Sequence, residues 1–154
     1  MAKKGIIIVL AGIMLMFVSL SGHAQQKGVF GLGFIIGNPT GISMKFWTKE
    51  TDAVEVALDW KKKETQLHAD YLWHNFDLLP VKNGRFPVFY GVGIGAKLKG
   101  DEDNEIGIRT IAGLEYLFDA VPFDLFLQIA PVLQLTPESK VKVEAAVGFH
   151  FFFK

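Results

Sequence analysis

Apolar residues return at every second position through eight runs of this chain, and that period narrows its fold more than any other feature. From Phe86 to Leu98, Val88, Tyr90, Val92, Ile94, Ala96 and Leu98 alternate with Phe89, Gly91, Gly93, Gly95 and Lys97. From Val141 to Phe153, odd positions are Val, Val, Ala, Val, Phe, Phe and Phe, whereas even ones include Lys142, Glu144, Gly148 and His150. The other runs are Gly28–Ile36, Gly41–Trp47, Ala53–Trp60, Thr65–His74, Ile106–Phe118 and Phe123–Leu133. Between them stand turn-forming words such as GNPT, TKETD, KKKE, KGDEDNE and LTPES. A period of two places successive side chains on opposite faces of a strand, and no helical period competes with it. The chain is read as eight strands with two unlike faces.

Alternation alone leaves two barrels open. A soluble barrel of the lipocalin kind turns its apolar face inward around a ligand. A membrane barrel turns that face to lipid and fills its lumen with the other. Three features favour the membrane barrel. The longest runs carry six or seven apolar residues on one parity, about the length that crosses a bilayer at a tilt. The opposite parity is rich in glycine (Gly91, Gly93, Gly95, Gly107, Gly113, Gly148), as a crowded interior requires. Trp60, Trp73, Tyr90 and Tyr116 lie toward run ends on the apolar parity, where interfacial girdles sit. The expected fold is all-β, an eight-stranded antiparallel up-and-down transmembrane barrel. Its lumen would hold Lys45, Glu55, Asp59, His68, Asp70, His74, Lys97, Arg109, Glu115, Asp124, Lys142, Glu144 and His150. Charges in that position need partners, so a hydrogen-bonded polar network is expected, and a filled interior rather than an open pore.

The N-terminal segment is of another kind. A basic head, Met1-Ala2-Lys3-Lys4, precedes the apolar run Gly5–Leu20 and then Ser21-Gly22-His23-Ala24. This is the pattern of a cleavable secretory signal peptide spanning 1–24, with cleavage after Ala24 and the barrel domain over 25–154. The chain has no cysteine, which excludes a disulfide framework, a thiolate metal site and a lipid-anchored lipoprotein. Sixteen basic and sixteen acidic side chains balance, so nothing points to a nucleic-acid partner.

The words GNPTGISMKFW, HADYLWH, FYGVGIGAKLK, GIRTIAGLEYLF and FDLFLQIAPVLQLTP stand in this order across nearly all of 25–154. They resemble a family of small bacterial outer-membrane β-barrel proteins, largely uncharacterised and compared with OmpX- and OmpA-type barrels. The resemblance implies an outer-membrane eight-stranded barrel and carries over no catalytic residue. The ending EAAVGFHFFFK also resembles the sorting signal read by the barrel-assembly machinery. Gly148, Phe151 and Phe153 match its glycine and spaced hydrophobics, and Lys154 departs from its terminal aromatic.

His68 and Asp70 share a strand face, with Ser43 nearby as a candidate nucleophile and His74 and His150 further along, so a metal site or a serine hydrolase acting on lipid has its residue types present. Spacing shows no convergence of three ligands or of a nucleophile with its base, and a lumen hydrogen-bond network accounts for the same residues. GVGIG keeps strand parity with no helix after it, which removes a phosphate loop. The expectation is therefore an exported outer-membrane monomer with no catalysis, no cofactor and no metal, in contact with membrane lipid and, during biogenesis, the assembly machinery. A narrow conduit or binder for small solutes or lipids, a lipid-modifying barrel and a soluble lipocalin-like carrier are the alternatives.

Overall fold

The computed structural model describes residues 29–61, 64–100 and 103–153. The leader reading for 1–24, the start of the first run at Gly28, two lysines of the KKKE turn (Lys62, Lys63) and Lys154 lie outside the described residues. Eight strands form one closed antiparallel barrel in chain order. They are β1 (Phe30–Gly37), β2 (Gly41–Trp47), β3 (Asp52–Lys61), β4 (Glu64–Asn75), β5 (Val88–Lys99), β6 (Glu105–Leu117), β7 (Phe123–Thr136) and β8 (Lys140–Phe153). The seam joins β1 to β8, from Phe30 opposite Phe153 to Gly37 opposite Ala146. No sheet edge is left unpaired, which removes the aggregation hazard of an exposed strand.

Two prolines shape the ladder. β5 starts at Val88 rather than at Phe86, because Pro87 has no N–H to give. Its carbonyl still accepts from the Glu115 N–H at 3.1 Å, and Arg85 forms an isolated bridge to Leu117. β7 runs on to Thr136, past Leu133, and carries Pro131 in its interior. Toward β8 the register is continuous through Pro131 opposite Val143. Toward β6 it stops at Arg109 opposite Val132 and resumes at Ala112 opposite Ile129. In that gap the Thr110 hydroxyl donates to the Pro131 carbonyl at 3.2 Å, a side-chain bond where the proline interrupts the ladder.

Apart from Asp52 at the start of β3, which accepts from the outward Tyr71 hydroxyl, the outward face of the strands is predominantly apolar. Ile94 is 65% exposed and Val141 71%, with Phe34, Val92, Ile108, Leu127, Ile129 and Val147 among their exposed neighbours. No Asp, Glu, Lys or Arg stands on the outward parity between Val54 and Trp60, Val88 and Leu98, Ile106 and Tyr116, or Val141 and Phe153. Aromatic side chains gather on this face at the end where β1 begins and β8 ends. Tyr71, Trp73 and Tyr90 form a chain of ring contacts at 5.1 and 6.0 Å, and Tyr116, Phe118, Phe123 and Phe149 form another at 4.8, 5.7 and 5.4 Å. Hydroxyls tie this belt to the backbone and loops: Tyr116 donates to the Asn83 carbonyl at 2.8 Å and Tyr71 to Asp52 Oδ2 at 2.8 Å. Trp60 lies at the opposite end of the barrel.

Inside, a recurrent pairing fills space. Phe89 lies opposite Gly113, Phe126 opposite Gly148 and Phe152 opposite Gly31 in three different ladders. In each pair a Cβ on the glycine would run into the facing phenyl ring, so the ring lies flat over bare backbone. A narrow lumen thereby takes large rings without splaying its wall.

Candidate functional site

The lumen is the candidate site, and its contents divide into apolar and ionic clusters. At the end carrying the aromatic belt, Val29, Trp47, Ala53, Leu117 and Phe152 pack together with Phe76 against them. A second apolar group contains Ile35, Leu72, Phe89, Ile111 and Phe126 with three alanines.

The first ionic cluster adjoins the Trp47 group. Lys45 Nζ donates to Glu115 Oε2 at 2.7 Å and lies 4.6 Å from the Trp47 ring centre. His74 Nδ1 is 3.0 Å from the Thr51 carbonyl, which can only accept. Nε2 lies 3.0 Å from both the Lys45 ammonium and Glu115 Oε2, so it accepts from the lysine when bare and donates to the carboxylate when protonated. Lys45, His74 and Glu115 are buried, and their ammonium, imidazole and carboxylate meet there with Glu115 Oε1 left without a hydrogen-bond partner.

Beside it, the His150 backbone N–H donates to Asp124 Oδ1 at 2.6 Å, and His150 Nδ1 lies 3.1 Å from both Asp124 oxygens. Its Nε2 is 2.7 Å from Ser43 Oγ. Phe126 stacks on the imidazole at 4.9 Å. Serine, histidine and aspartate thus stand in the order and at the spacings of a hydrolase triad. All three side chains are fully enclosed, and neither of the cavities at the two mouths of the barrel is lined by any of them. A triad acts only where a substrate carbonyl reaches the hydroxyl; enclosed, the same geometry cross-links β2, β7 and β8.

The second ionic cluster is built around Arg109. Its Nε donates to Asp70 Oδ1 at 3.1 Å and its Nη1 to Glu144 Oε1 at 2.5 Å, while Gln66 Nε2 donates to Glu144 Oε2 at 2.7 Å. β5 separates β4 from β6, and Gly93 of β5 stands in register with both Asp70 and Arg109. A Cβ at Gly93 would fall on the Asp70 carboxylate, so the ion pair crosses the intervening strand only because that residue has no side chain. Glu55 lies directly opposite Asp70, and His68 stands next to both.

At the mouth away from the aromatic belt, Lys142 and Lys99 pair with Glu105 at 2.7 and 3.0 Å, and Lys97 with Glu64 at 3.4 Å. Here a cavity of about 60 Å³ is lined by Gln66, His68, Lys97, Arg109, Lys142 and Glu144, among others. At the opposite mouth a cavity of about 260 Å³ is lined by Trp47, Arg85, Leu117, Phe123 and Phe152, among others.

The residues singled out by parity are distributed as follows. Lys45 and Glu115 fall in the first cluster with His74, Asp124 and His150 in the triad beside it, and Glu55, His68, Asp70, Arg109 and Glu144 in the second cluster. Asp59 is buried near the rim, where its Oδ2 accepts from the Thr40 N–H at 3.4 Å, and Lys97 and Lys142 belong to the mouth. Of the C-terminal residues, Gly148 faces inward beneath Phe126, whereas Phe151 and Phe153 face outward. Gln66, Gln128 and Gln134, polar and on the same inward parity, join the expected lumen set, and Ser43 meets His150 rather than His68 and Asp70. Parity alone would have placed the glutamines.

Comparison with solved structures finds the crystal structure of the N-terminal β-barrel domain of Pseudomonas aeruginosa OprF. It aligns with a TM-score of 0.55 and 16% sequence identity, covering 81% of this chain and 96% of that one. No protein-family model matches the sequence, and no curated protein matches it.

Proposed function

We propose that this chain is a bacterial outer-membrane β-barrel with a side-chain-filled lumen, serving a structural or surface-interaction role without catalysis. The observation that carries the reading is the outward face. A closed barrel whose exposed parity holds Ile94, Ile108, Leu127 and Val147 with no charge among them is soluble only at great cost in water. In a bilayer that same face is matched to its surroundings, and the tyrosines and tryptophan of the belt sit where rings prefer to lie. β4 to β8, at 12 to 14 residues, exceed the length that crosses the hydrocarbon at a barrel tilt. The likeness to the OprF β-barrel domain supports the barrel fold on which this reading rests. The sequence adds the signal peptide over 1–24 and the sorting signal at Gly148, Phe151 and Phe153, which would bring the chain to the barrel-assembly machinery. The protein then works as a monomer in contact with outer-membrane lipid.

The lumen supports the absence of both a pore and a catalytic centre: the two ionic clusters and the rings of Trp47, Phe89, Phe126 and Phe152 occupy it. Fractionation combined with gel mobility before and after boiling tests the placement. Outer-membrane recovery with a heat-dependent mobility shift is expected. Recovery as a monodisperse soluble protein without detergent would overturn it in favour of the lipocalin-like carrier. Steady ion conductance in a planar bilayer would replace the filled lumen with a conduit.

A further inference from the structure

From the second ionic cluster we infer that Glu55, His68 and Asp70 form a binding site for a divalent first-row transition cation of the Zn²⁺ class, inside the barrel. The register brings the three together: Glu55 of β3 stands directly opposite Asp70 of β4, and His68 precedes Asp70 by two residues on the same inward face. His68 Nε2 lies 3.4 Å from Asp70 Oδ2 and 3.9 Å from Glu55 Oε1, and one ligand atom from each residue falls within 4.8 Å of the others. A tetrahedral ion with bonds of about 2.0–2.2 Å holds its ligand atoms roughly 3.3–3.6 Å apart, so His68 and Asp70 already stand at that spacing and the Glu55 carboxylate must draw in toward them.

Unsatisfied atoms point to the ligand. His68 Nε2, Asp70 Oδ2 and Glu55 Oε1 are all buried and none has a hydrogen-bond partner, nor has His68 Nδ1. Buried polar atoms are rarely left in this state, and here three of them face one another. Charge agrees. The cluster sets three carboxylates, Glu55, Asp70 and Glu144, against the one guanidinium of Arg109, a formal −2 with a neutral imidazole. Two carboxylates directly opposite on one strand face repel. A divalent ion between them cancels both the repulsion and the excess charge.

The surroundings are those of a cation site. Asp70 keeps its other oxygen, Oδ1, on the Arg109 Nε–H at 3.1 Å, an outer bond of the type that fixes a ligating carboxylate. His68 lines the 60 Å³ cavity at the mouth, a volume that admits water and a hydrated ion's last ligand. One imidazole nitrogen and two carboxylate oxygens favour zinc, manganese or iron(II) over calcium and magnesium, which take oxygen ligands throughout. The site does not depend on where the barrel resides.

The test is titration of the detergent-refolded full chain with Zn²⁺ by calorimetry, and with Co²⁺ by its visible absorption bands. One equivalent bound, with the intense bands of a four-coordinate Co²⁺ site, is expected. His68→Ala and the isosteric Glu55→Gln should each lose that equivalent, while His150→Ala, which touches the neighbouring triad, should keep it. Heat-dependent gel mobility shows whether each variant has closed its barrel, and Glu55→Gln serves if His68→Ala has not. No binding by the parent chain, or undiminished binding by a folded His68→Ala, would overturn the site. So would an imidazole ¹⁵N spectrum showing a cationic His68 at neutral pH with Zn²⁺ present, which would make it a proton-bridged carboxylate cluster.

Discussion

Arg109 on β6 and Asp70 on β4 share a 3.1 Å hydrogen bond although β5 lies between them, and Gly93 is the residue over which they meet. A wall residue without a side chain thus turns a next-neighbour relationship between strands into direct contact. Gly93→Ala should displace the Asp70 carboxylate, and the combined overpacking and lost ion pairing should cost about 2–4 kcal/mol. The urea midpoint of unfolding in lipid vesicles reads this directly. An unchanged midpoint would mean that the wall absorbs the methyl group and that the pair does not depend on a bare Gly93.

Replacing Arg109 by methionine keeps the bulk and removes the charge, leaving Asp70 and Glu144 buried without their guanidinium. The expected cost is about 3–5 kcal/mol, since an orphaned buried charge is dearer than a missing pair. Adding Asp70→Asn to that variant should recover part of the loss. A double variant as unstable as the sum of its parts would show that the two residues are not coupled.

Phe126 covers Gly148, so Gly148→Ala and Phe126→Leu should each destabilise the barrel while their combination does so by less than the sum. A coupling of about 0.5–3 kcal/mol is expected for residues in such contact. Additive losses would mean that ring and glycine are independent neighbours.

Ile94, in the middle of β5 and 65% exposed, distinguishes lipid from water as the solvent of the outer face. Ile94→Lys should cost about 2–4 kcal/mol of stability in a bilayer, the penalty for a cation at its midplane. In a water-soluble barrel the same change would be neutral or would improve solubility.

Ser43 is enclosed, so an activated-serine probe such as a fluorophosphonate should leave the folded chain unlabelled despite the 2.7 Å contact with His150. Ser43→Ala should instead lower stability by about 1–3 kcal/mol, because the buried His150 Nε2 loses its donor. Covalent labelling at Ser43 in the folded state would make the triad a working one.

Strand number and the two faces were legible because a period of two survives any register. Val88 through Leu98 read the same way whichever neighbour β5 has. The contacts of the lumen were not, since they join residues remote in sequence: Ser43 to His150 spans 107 positions and Lys45 to Glu115 spans 70. Such pairs follow from the stagger of all eight strands together. The phenyl-on-glycine pairs lay in between. Phe89, Phe126 and Phe152 stand on the glycine-bearing parity, an anomaly visible in the sequence, but only the register says which glycine each ring covers. Ser43 and His68 show the same limit, for proximity in sequence grouped Ser43 with the nearer histidine and the barrel grouped it with the farther one.

The seam between β1 and β8 has a consequence in time rather than in space. Eight register pairs, from Phe30 with Phe153 to Gly37 with Ala146, join the two strands farthest apart along the chain. The first strand therefore has no ladder partner on one side until the final one is available. Contacts of such long range are entropically slow to form, and half a barrel has no closed state to rest in. His150 and Phe152 ride on that final strand, so the Ser43 bond and the cover over Gly31 form only once it is in place. A chain cut short by a few residues would lose closure as a whole, without a graded series of smaller barrels on the way.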